Sequence, residues 1–184
     1  MKLRRLIVSL ILIVIIFLGA LVGIKKYIFP LKYNDLVVKY AEEYDLDPYF
    51  VLSVIKAESN FKPDAKSHRD AMGLMQIVES TGEDIANNIG IENFDVNMLY
   101  DVEYNIMMGC WYLNDLNKEF NNDITLVLAA YNAGRGHVNQ WLQNEQYSSD
   151  GETLTYIPFE ETKKYVDKIE IYYKVYKLLY EKEI

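Results

Sequence analysis

Glu58 has the sequence setting that best suits acid–base chemistry. It ends an apolar segment in which Val51, Val54 and Ile55 lie seven, four and three residues earlier, so in a helix all three share its face. Burial on that face and the negative end of the helix dipole both disfavour a charged carboxylate. Both effects raise the pKa and keep a proton available near neutral pH, as a general acid requires. Taken alone, the residue is better interpreted as a surface glutamate at a frayed helix end, since most glutamates are solvated.

Short motifs before and after Glu58 occur in a recognisable order. Together they resemble the lytic murein transglycosylases, specifically the catalytic domain of the soluble lytic transglycosylase type. The resemblance covers about residues 33–180, and the order of the motifs makes it specific, although each motif alone is weak. The motifs are Tyr40-Ala41-Glu42-Glu43-Tyr44-Asp45-Leu46-Asp47-Pro48, Val54-Ile55-Lys56-Ala57-Glu58-Ser59-Asn60-Phe61, Gly73-Leu74-Met75-Gln76-Ile77, Ala130-Tyr131-Asn132-Ala133-Gly134 and Glu161-Thr162-Lys163-Lys164-Tyr165-Val166.

The resemblance implies an all-α, lysozyme-like fold of the goose type and a role for each matched residue. Glu58 matches the single catalytic acid/base. The other matched positions imply substrate contacts. They are Ser59 beside the acid, Ser67 positioning the substrate, Met75 and Gln76 contacting the glycan, Tyr131 and Asn132 in the cleft wall, Glu161 near the stem peptide, and Tyr165 with its hydroxyl close to Glu58.

The side-chain chemistry is compatible with those roles. Amide and hydroxyl groups such as those of Gln76 and Ser67 can bind sugar hydroxyl and N-acetyl groups, and the apolar Met75 can cover a sugar face. The structural alternatives are ordinary: Met75 as core filler, Asn132-Ala133-Gly134 as a helix stop, and Tyr165 as a core tyrosine.

Two departures from the family pattern fall in the same loop. His68 and Asp70 stand where the family usually has Pro and Gly, and the proline usual after the glutamine is absent from Ile77-Val78-Glu79-Ser80. Asp70 is close enough in sequence to perturb Glu58 or to serve as a second carboxylate.

The implied reaction acts on peptidoglycan glycan strands and uses no metal or cofactor. Glu58 protonates the leaving oxygen while the N-acetyl oxygen of muramic acid attacks C1; the Glu58 carboxylate then takes the proton of the C6 hydroxyl and a 1,6-anhydro ring closes. Most glycosidases use two carboxyl groups. A hydrolytic muramidase using Asp70 or Asp64 is therefore one alternative, and a wall-binding scaffold module of a secretion, conjugation or sporulation machine is another.

The segments that must position these residues are mostly predicted to be helices. Pro48 follows the capping residue Asp47, so a helix should run from Pro48 to Glu58. Residues 59–78 and 147–157 are expected to be irregular. The other predicted helices run over about 34–44, from Ser80 or Thr81 to Gly90, and over 101–120, 124–132, 138–142 and 160–183.

The N-terminus is predicted to be a membrane anchor. Residues 6–24 hold one polar side chain, Ser9, and as a helix would be about 28 Å long, close to the thickness of the hydrocarbon core. A cleaved signal peptide has a shorter apolar region. Basic residues before the helix favour a cytoplasmic tip at 1–5, a connector at 25–33 and an extracytoplasmic catalytic domain at 34–184, although Lys25 and Lys26 oppose this orientation.

Composition excludes several other classes of protein. The chain has 184 residues, 51% hydrophobic and 25% charged, which is typical of a folded protein. One cysteine, Cys110, excludes an intramolecular disulfide and, with only two histidines, disfavours a structural zinc site. Residues 27–184 carry 14 basic and 27 acidic side chains, a balance that argues against nucleic-acid binding.

Overall fold

A computed structural model describes residues 2–181. Residues 2–181 form helices and connecting loops, with β pairing limited to two isolated bridges, Lys66 with Met72 and Met72 with Ile77. This confirms the predicted all-α class. The elements are α1 (Lys2–Gly23), a π-helix (Ile24–Ile28), α2 (Asn34–Glu43), α3 (Pro48–Glu58), α4 (Glu79–Ile89), a 3-10 helix (Val96–Tyr100), α5 (Val102–Glu119), α6 (Ile124–Ala133), α7 (Arg135–Leu142) and α8 (Glu160–Tyr180).

Most helix boundaries lie within two residues of those predicted, because the capping residues can be recognised in the sequence. Asp47, Asp101 and Asp123 each accept hydrogen bonds from the first backbone N–H groups of the helix that follows. The prediction placed the start of α7 three residues too late and missed the 3-10 helix, which Asp95 caps without an apolar repeat. Residues 182 and 183 of the predicted last helix lie outside the described residues.

The N-terminal unit comprises α1 and the π-helix, and the chain divides between Asn34 and Asp35. Lys2–Ile28 is long and apolar enough to cross a membrane, and its apolar stretch is fully exposed; a signal sequence near an N-terminus would satisfy the same criteria. The predicted span at 6–24 lies within this helix.

The second unit is organised around α3, which packs against α8. Seven consecutive residues of α3, Tyr49–Ile55, are buried, so the helix is enclosed on all sides except at its C-terminal end. The helix α6 packs against α5, α7 and α8 and is buried over Leu126–Ala130. Glu58, the last residue of α3, therefore lies at the edge of the core.

A loop over residues 59–78 follows Glu58 and is held by Asn105 of α5. The buried Asn105 side chain accepts from Met75 N at 2.7 Å and donates to Met72 O at 3.1 Å and Leu99 O at 2.7 Å. Gly73 has φ +77° here, and a Cβ at this position would come within 2.1 Å of Leu99 O. The loop conformation thus depends on one buried amide and one glycine.

Replacing Asn105 by alanine is expected to destabilise the fold by about 3 kcal/mol. Three hydrogen bonds are lost, each worth about 1 kcal/mol or more, although Met72 O keeps the Ile77 N–H at 3.0 Å. The measurement is chemical denaturation of the full chain in detergent, followed by tryptophan fluorescence. The control is Asn88→Ala, whose side chain bonds to Asp84 O on the surface and should change stability by less than about 0.5 kcal/mol. Equal effects of the two variants would contradict the role of Asn105.

Candidate active site

Glu58 is held from one side by α8. The Tyr165 hydroxyl donates a hydrogen bond to Glu58 Oε1 at 2.6 Å, and Tyr165 itself is buried. Lys168, one turn further along α8, donates to Ala57 O at 3.1 Å, and its ammonium group lies 5.7 Å from the centre of the Tyr165 ring. The hydroxyl predicted to lie close to Glu58 is therefore found there.

Burial raises the pKa of Glu58 from 4.5 to about 7, because the carboxylate loses solvation. The Tyr165 hydrogen bond and the positive charge of Lys168 act in the opposite direction and limit the rise. Glu58 is thus poised to hold or release a proton near neutral pH, as predicted from its place on the apolar face of α3.

Glu58 opens onto a cavity of about 320 Å³ between the 59–78 loop and helices α4, α5, α6 and α8. The cavity is large enough for part of an extended ligand and is open to solvent. Six of the nine residues predicted for the site line it: Glu58, Ser67, Gln76, Tyr131, Asn132 and Glu161.

Ser67 and Gln76 shape the loop as well as facing the cavity. Ser67 Oγ accepts from the N–H groups of Arg69 at 3.2 Å and Ala71 at 3.0 Å. The Gln76 amide donates to Gly73 O at 2.9 Å and Ala65 O at 3.2 Å. These bonds fix the loop backbone against itself, so the cavity wall is formed before any ligand binds.

Tyr131 and Asn132 of α6 connect their side of the cavity to the loop and to α8 by hydrogen bonds. The Tyr131 hydroxyl donates to Met75 O at 2.7 Å, which joins α6 to the loop. Asn132 Oδ1 accepts from the Thr162 hydroxyl at 2.8 Å, which joins α6 to α8. The two residues predicted for the cleft wall therefore link all three parts of it.

Two predicted substrate contacts are not at the cavity. The Met75 side chain is fully buried against Gly109, where the core contact leaves no surface for a sugar. Ser59 is buried, and its hydroxyl donates back to Ile55 O at 3.2 Å, the carbonyl that also accepts the Ser59 backbone N–H at the end of α3. Both residues support the site from within the fold. Tyr165, also buried, reaches the site only through its hydroxyl.

Asp70 and Asp64 are not part of the cavity wall. Asp70 is exposed and pairs with Lys66 at 2.8 Å, which lowers the pKa of Asp70. Its backbone has φ +58°, a left-handed conformation that favours glycine, the usual family residue, and that aspartate tolerates. Asp64 is exposed on the same loop. The departure from the family pattern therefore preserves the turn and does not add a second carboxylate to the cavity.

Several residues that line the cavity were not predicted from the sequence. Tyr112 of α5 packs against Tyr131, with ring centres 5.4 Å apart, and had no motif to distinguish it from core tyrosines. Arg69 and His68 also line the cavity from the loop, and neither belongs to a matched motif. Among residues 2–181, no group of three or more His, Cys, Asp or Glu side chains could hold a metal ion.

Comparisons with known proteins agree with this geometry. Residues 35–154 match the family model of the transglycosylase SLT domain, so the chain belongs to that family. The soluble lytic murein transglycosylase of Escherichia coli K12 is 34% identical over 151 residues, which cover 81% of this chain and 23% of the relative. Membrane-bound lytic murein transglycosylase C of Salmonella arizonae is 35% identical over 124 residues, covering 62% of this chain and 34% of the relative.

Solved structures give the same result. Lytic transglycosylase Slt of Pseudomonas aeruginosa, solved as an inactive glutamate-to-glutamine mutant, is 32% identical with a TM-score of 0.72, and the match covers 82% of this chain and 24% of that one. The 70-kDa soluble lytic transglycosylase in complex with bulgecin A is 32% identical with a TM-score of 0.73, and the match covers 82% of this chain and 25% of that one. This confirms the predicted lysozyme-like fold of the transglycosylase type. The chain spans about a quarter of the length of these soluble relatives.

Replacing Lys168 by methionine is expected to raise the pKa of Glu58 above about 7. The substitution keeps the aliphatic stem and removes the positive charge that favours the carboxylate. The measurement is a pH titration of the Glu58 carboxyl carbon by NMR in the full chain in detergent. Lys163→Met, on the same helix but paired with Asp167, is the control and should leave the titration unchanged. An unchanged titration in Lys168→Met would contradict the electrostatic role.

Proposed function

We propose that the protein is a peptidoglycan lytic transglycosylase that cleaves the β-1,4 bond from MurNAc to GlcNAc and forms 1,6-anhydroMurNAc. The observation that carries the proposal is a half-buried glutamate with a pKa of about 7 that opens onto a cavity to which Ser67, Gln76 and Asn132 contribute. The membership of the SLT family and the names of its relatives support the substrate class.

Glu58 alone supplies the proton transfers in this proposal. The protonated carboxyl group donates to the glycosidic oxygen as the C1–O bond breaks, while the N-acetyl oxygen of the same MurNAc bonds to C1. The resulting carboxylate removes the proton of the C6 hydroxyl, whose oxygen then attacks C1 and displaces the N-acetyl oxygen. A pKa of about 7 makes both protonation states accessible at the same pH.

Tyr165 and Lys168 act as positioning residues in this cycle. The Tyr165 hydrogen bond fixes one carboxyl oxygen, so the other can point towards the sugar. Lys168 supports the carboxylate that forms after the first proton transfer. Both are set on α8, which also contributes Glu161 to the cavity.

The hydrolytic alternative receives less support. A muramidase with two carboxyl groups needs a second one facing the scissile bond. Asp70 is paired with Lys66 and, like Asp64, lies outside the described cavity wall. Glu161 lines the cavity but is exposed and paired with Arg69. A scaffold without activity would have no need of a cavity glutamate whose pKa burial raises to about 7.

Glu58→Gln is expected to lower the cleavage rate by about 100-fold or more, since a general acid contributes 10²–10⁴-fold to such reactions. The assay is mass spectrometry of muropeptides released from purified peptidoglycan by the full chain in detergent. The wild-type products should be one water lighter than hydrolytic products. Tyr165→Phe should be slower than wild type but still active, since it removes one hydrogen bond to Glu58.

The same assay separates the alternatives. Asp70→Asn is the matched control and should retain the wild-type rate, because Asp70 lies outside the cavity. Products with a free reducing end, or a loss of activity in Asp70→Asn, would favour the muramidase. Bound wall polymer with no soluble product from the wild type would favour the scaffold.

We also propose that Lys2–Ile28 anchors the chain in a membrane with the N-terminus in the cytoplasm. Its length and composition, the basic residues before it and the membrane-bound relative support this. Protease added to spheroplasts should digest residues 34–184, whereas an N-terminal tag should survive until the membrane is lysed. Digestion of the tag in intact spheroplasts would contradict the orientation.

A further inference from the structure

An ion pair lies at the rim of the cavity. Arg69 of the 59–78 loop approaches Glu161, in the first turn of α8, with Nη2 to Oε2 at 3.3 Å. Both residues line the cavity, and their side chains are 64% and 67% exposed. The pair therefore joins two separate parts of the cavity wall while remaining in contact with solvent.

The Arg69 side chain can exchange this partner at little cost. An exposed ion pair of this kind contributes little to stability, because water and counterions solvate both groups well. Arg135 provides a contrast, since it pairs with both Asp115 and Glu119, whose side chains are more buried than that of Glu161. Arg69 is anchored through its backbone instead, with its N–H donating to Ser67 Oγ at 3.2 Å.

The charge of Arg69 is unusual for its surroundings. Residues 27–184 carry almost twice as many acidic as basic side chains. Arg69 is nevertheless the one arginine or lysine among the described residues of the cavity wall, which also contains the carboxyl groups of Glu58 and Glu161. A guanidinium group in this position can offset the repulsion that these acids exert on an anionic ligand.

We propose that Arg69 binds a carboxylate of the glycan substrate, taking it in exchange for Glu161. A guanidinium group presents parallel N–H donors that fit the two oxygens of a carboxylate. Peptidoglycan offers this group on its peptides and, where the peptide is absent, on the lactyl ether of MurNAc. The inference rests on the proposed function for its substrate class. It adds a cation beside Glu161, the residue that the family resemblance places near the stem peptide.

Binding is measured by calorimetry on the full chain in detergent, in the Glu58→Gln background so that no ligand is cleaved. Three ligands of equal length are compared: a peptidoglycan tetrasaccharide with its peptides, the same tetrasaccharide after amidase treatment, and neutral chitotetraose. Arg69→Ala should weaken binding of the peptide-bearing ligand about three- to tenfold, as expected for loss of a charge-assisted hydrogen bond near solvent. Binding of chitotetraose should change less than about twofold.

The amidase-treated ligand identifies which carboxylate is bound. Loss of affinity in Arg69→Ala with the peptide-bearing ligand alone assigns the contact to a peptide carboxylate, and loss with the amidase-treated ligand alone assigns it to the lactyl carboxylate. Loss with both ligands means that Arg69 takes either group. Arg69→Lys should recover part of the affinity, because it keeps the charge but not the paired donors. Lys66→Ala is the matched control, since it removes a positive charge from the same loop at a residue outside the cavity wall.

Equal affinities of wild type and Arg69→Ala for both carboxylate ligands would overturn the proposal. So would the same loss with chitotetraose, or the same loss in Lys66→Ala. Because binding is measured without turnover, the result is separate from the cleavage assay. A wild-type protein that binds through Arg69 but releases no product would refute the proposed function and leave this inference intact.

Discussion

The contact between α3 and α8 fixes the carboxyl group on which the site depends. At one end, Lys168 and Tyr165 bind Ala57 O and Glu58. At the other end, the Tyr173 hydroxyl donates to Asp47 Oδ2 at 2.7 Å, and the Tyr49 hydroxyl donates to Tyr180 O. The two helices run antiparallel and are joined by hydrogen bonds at both ends, which fixes the position of Glu58 relative to α8. Its raised pKa follows from this enclosure, because the same packing that holds the carboxyl group also removes water from it.

The wall facing Glu58 is built differently. It is a loop with a sharp turn, and its backbone polar groups are satisfied by Asn105, Ser67 and Gln76. Gln76 and Asp70 both adopt positive φ angles, a conformation that costs energy for residues other than glycine and persists where surrounding contacts enforce it. A rigid helix therefore carries the titrating group, and a pre-shaped loop carries the groups that face a ligand.

The family match covers residues 35–154, whereas α8 begins at Glu160. The site nevertheless needs α8, which contributes Tyr165, Lys168 and Glu161. The loop departures are accommodated because Asp70 tolerates the left-handed turn and pairs with Lys66 on the outside. The carboxyl group of Asp70 therefore stays outside the cavity wall.

The positions of most helices could be predicted from the sequence. Caps such as Asp47 and the apolar repeat before Glu58 are local signals, and tertiary packing does not override them. Spacing alone left Glu58 open to a surface reading, and the ordered motifs around it, which resemble the lytic transglycosylases, singled it out. Which side chains at the matched positions face the cavity depends on tertiary packing and could not be predicted from the sequence. Met75 and Ser59 turn inward, while Arg69 and Tyr112 line the wall. The physical reason is that neighbours distant in the chain, such as Gly109 beside Met75 and Glu161 beside Arg69, set the direction of each side chain. No local pattern encodes those pairings.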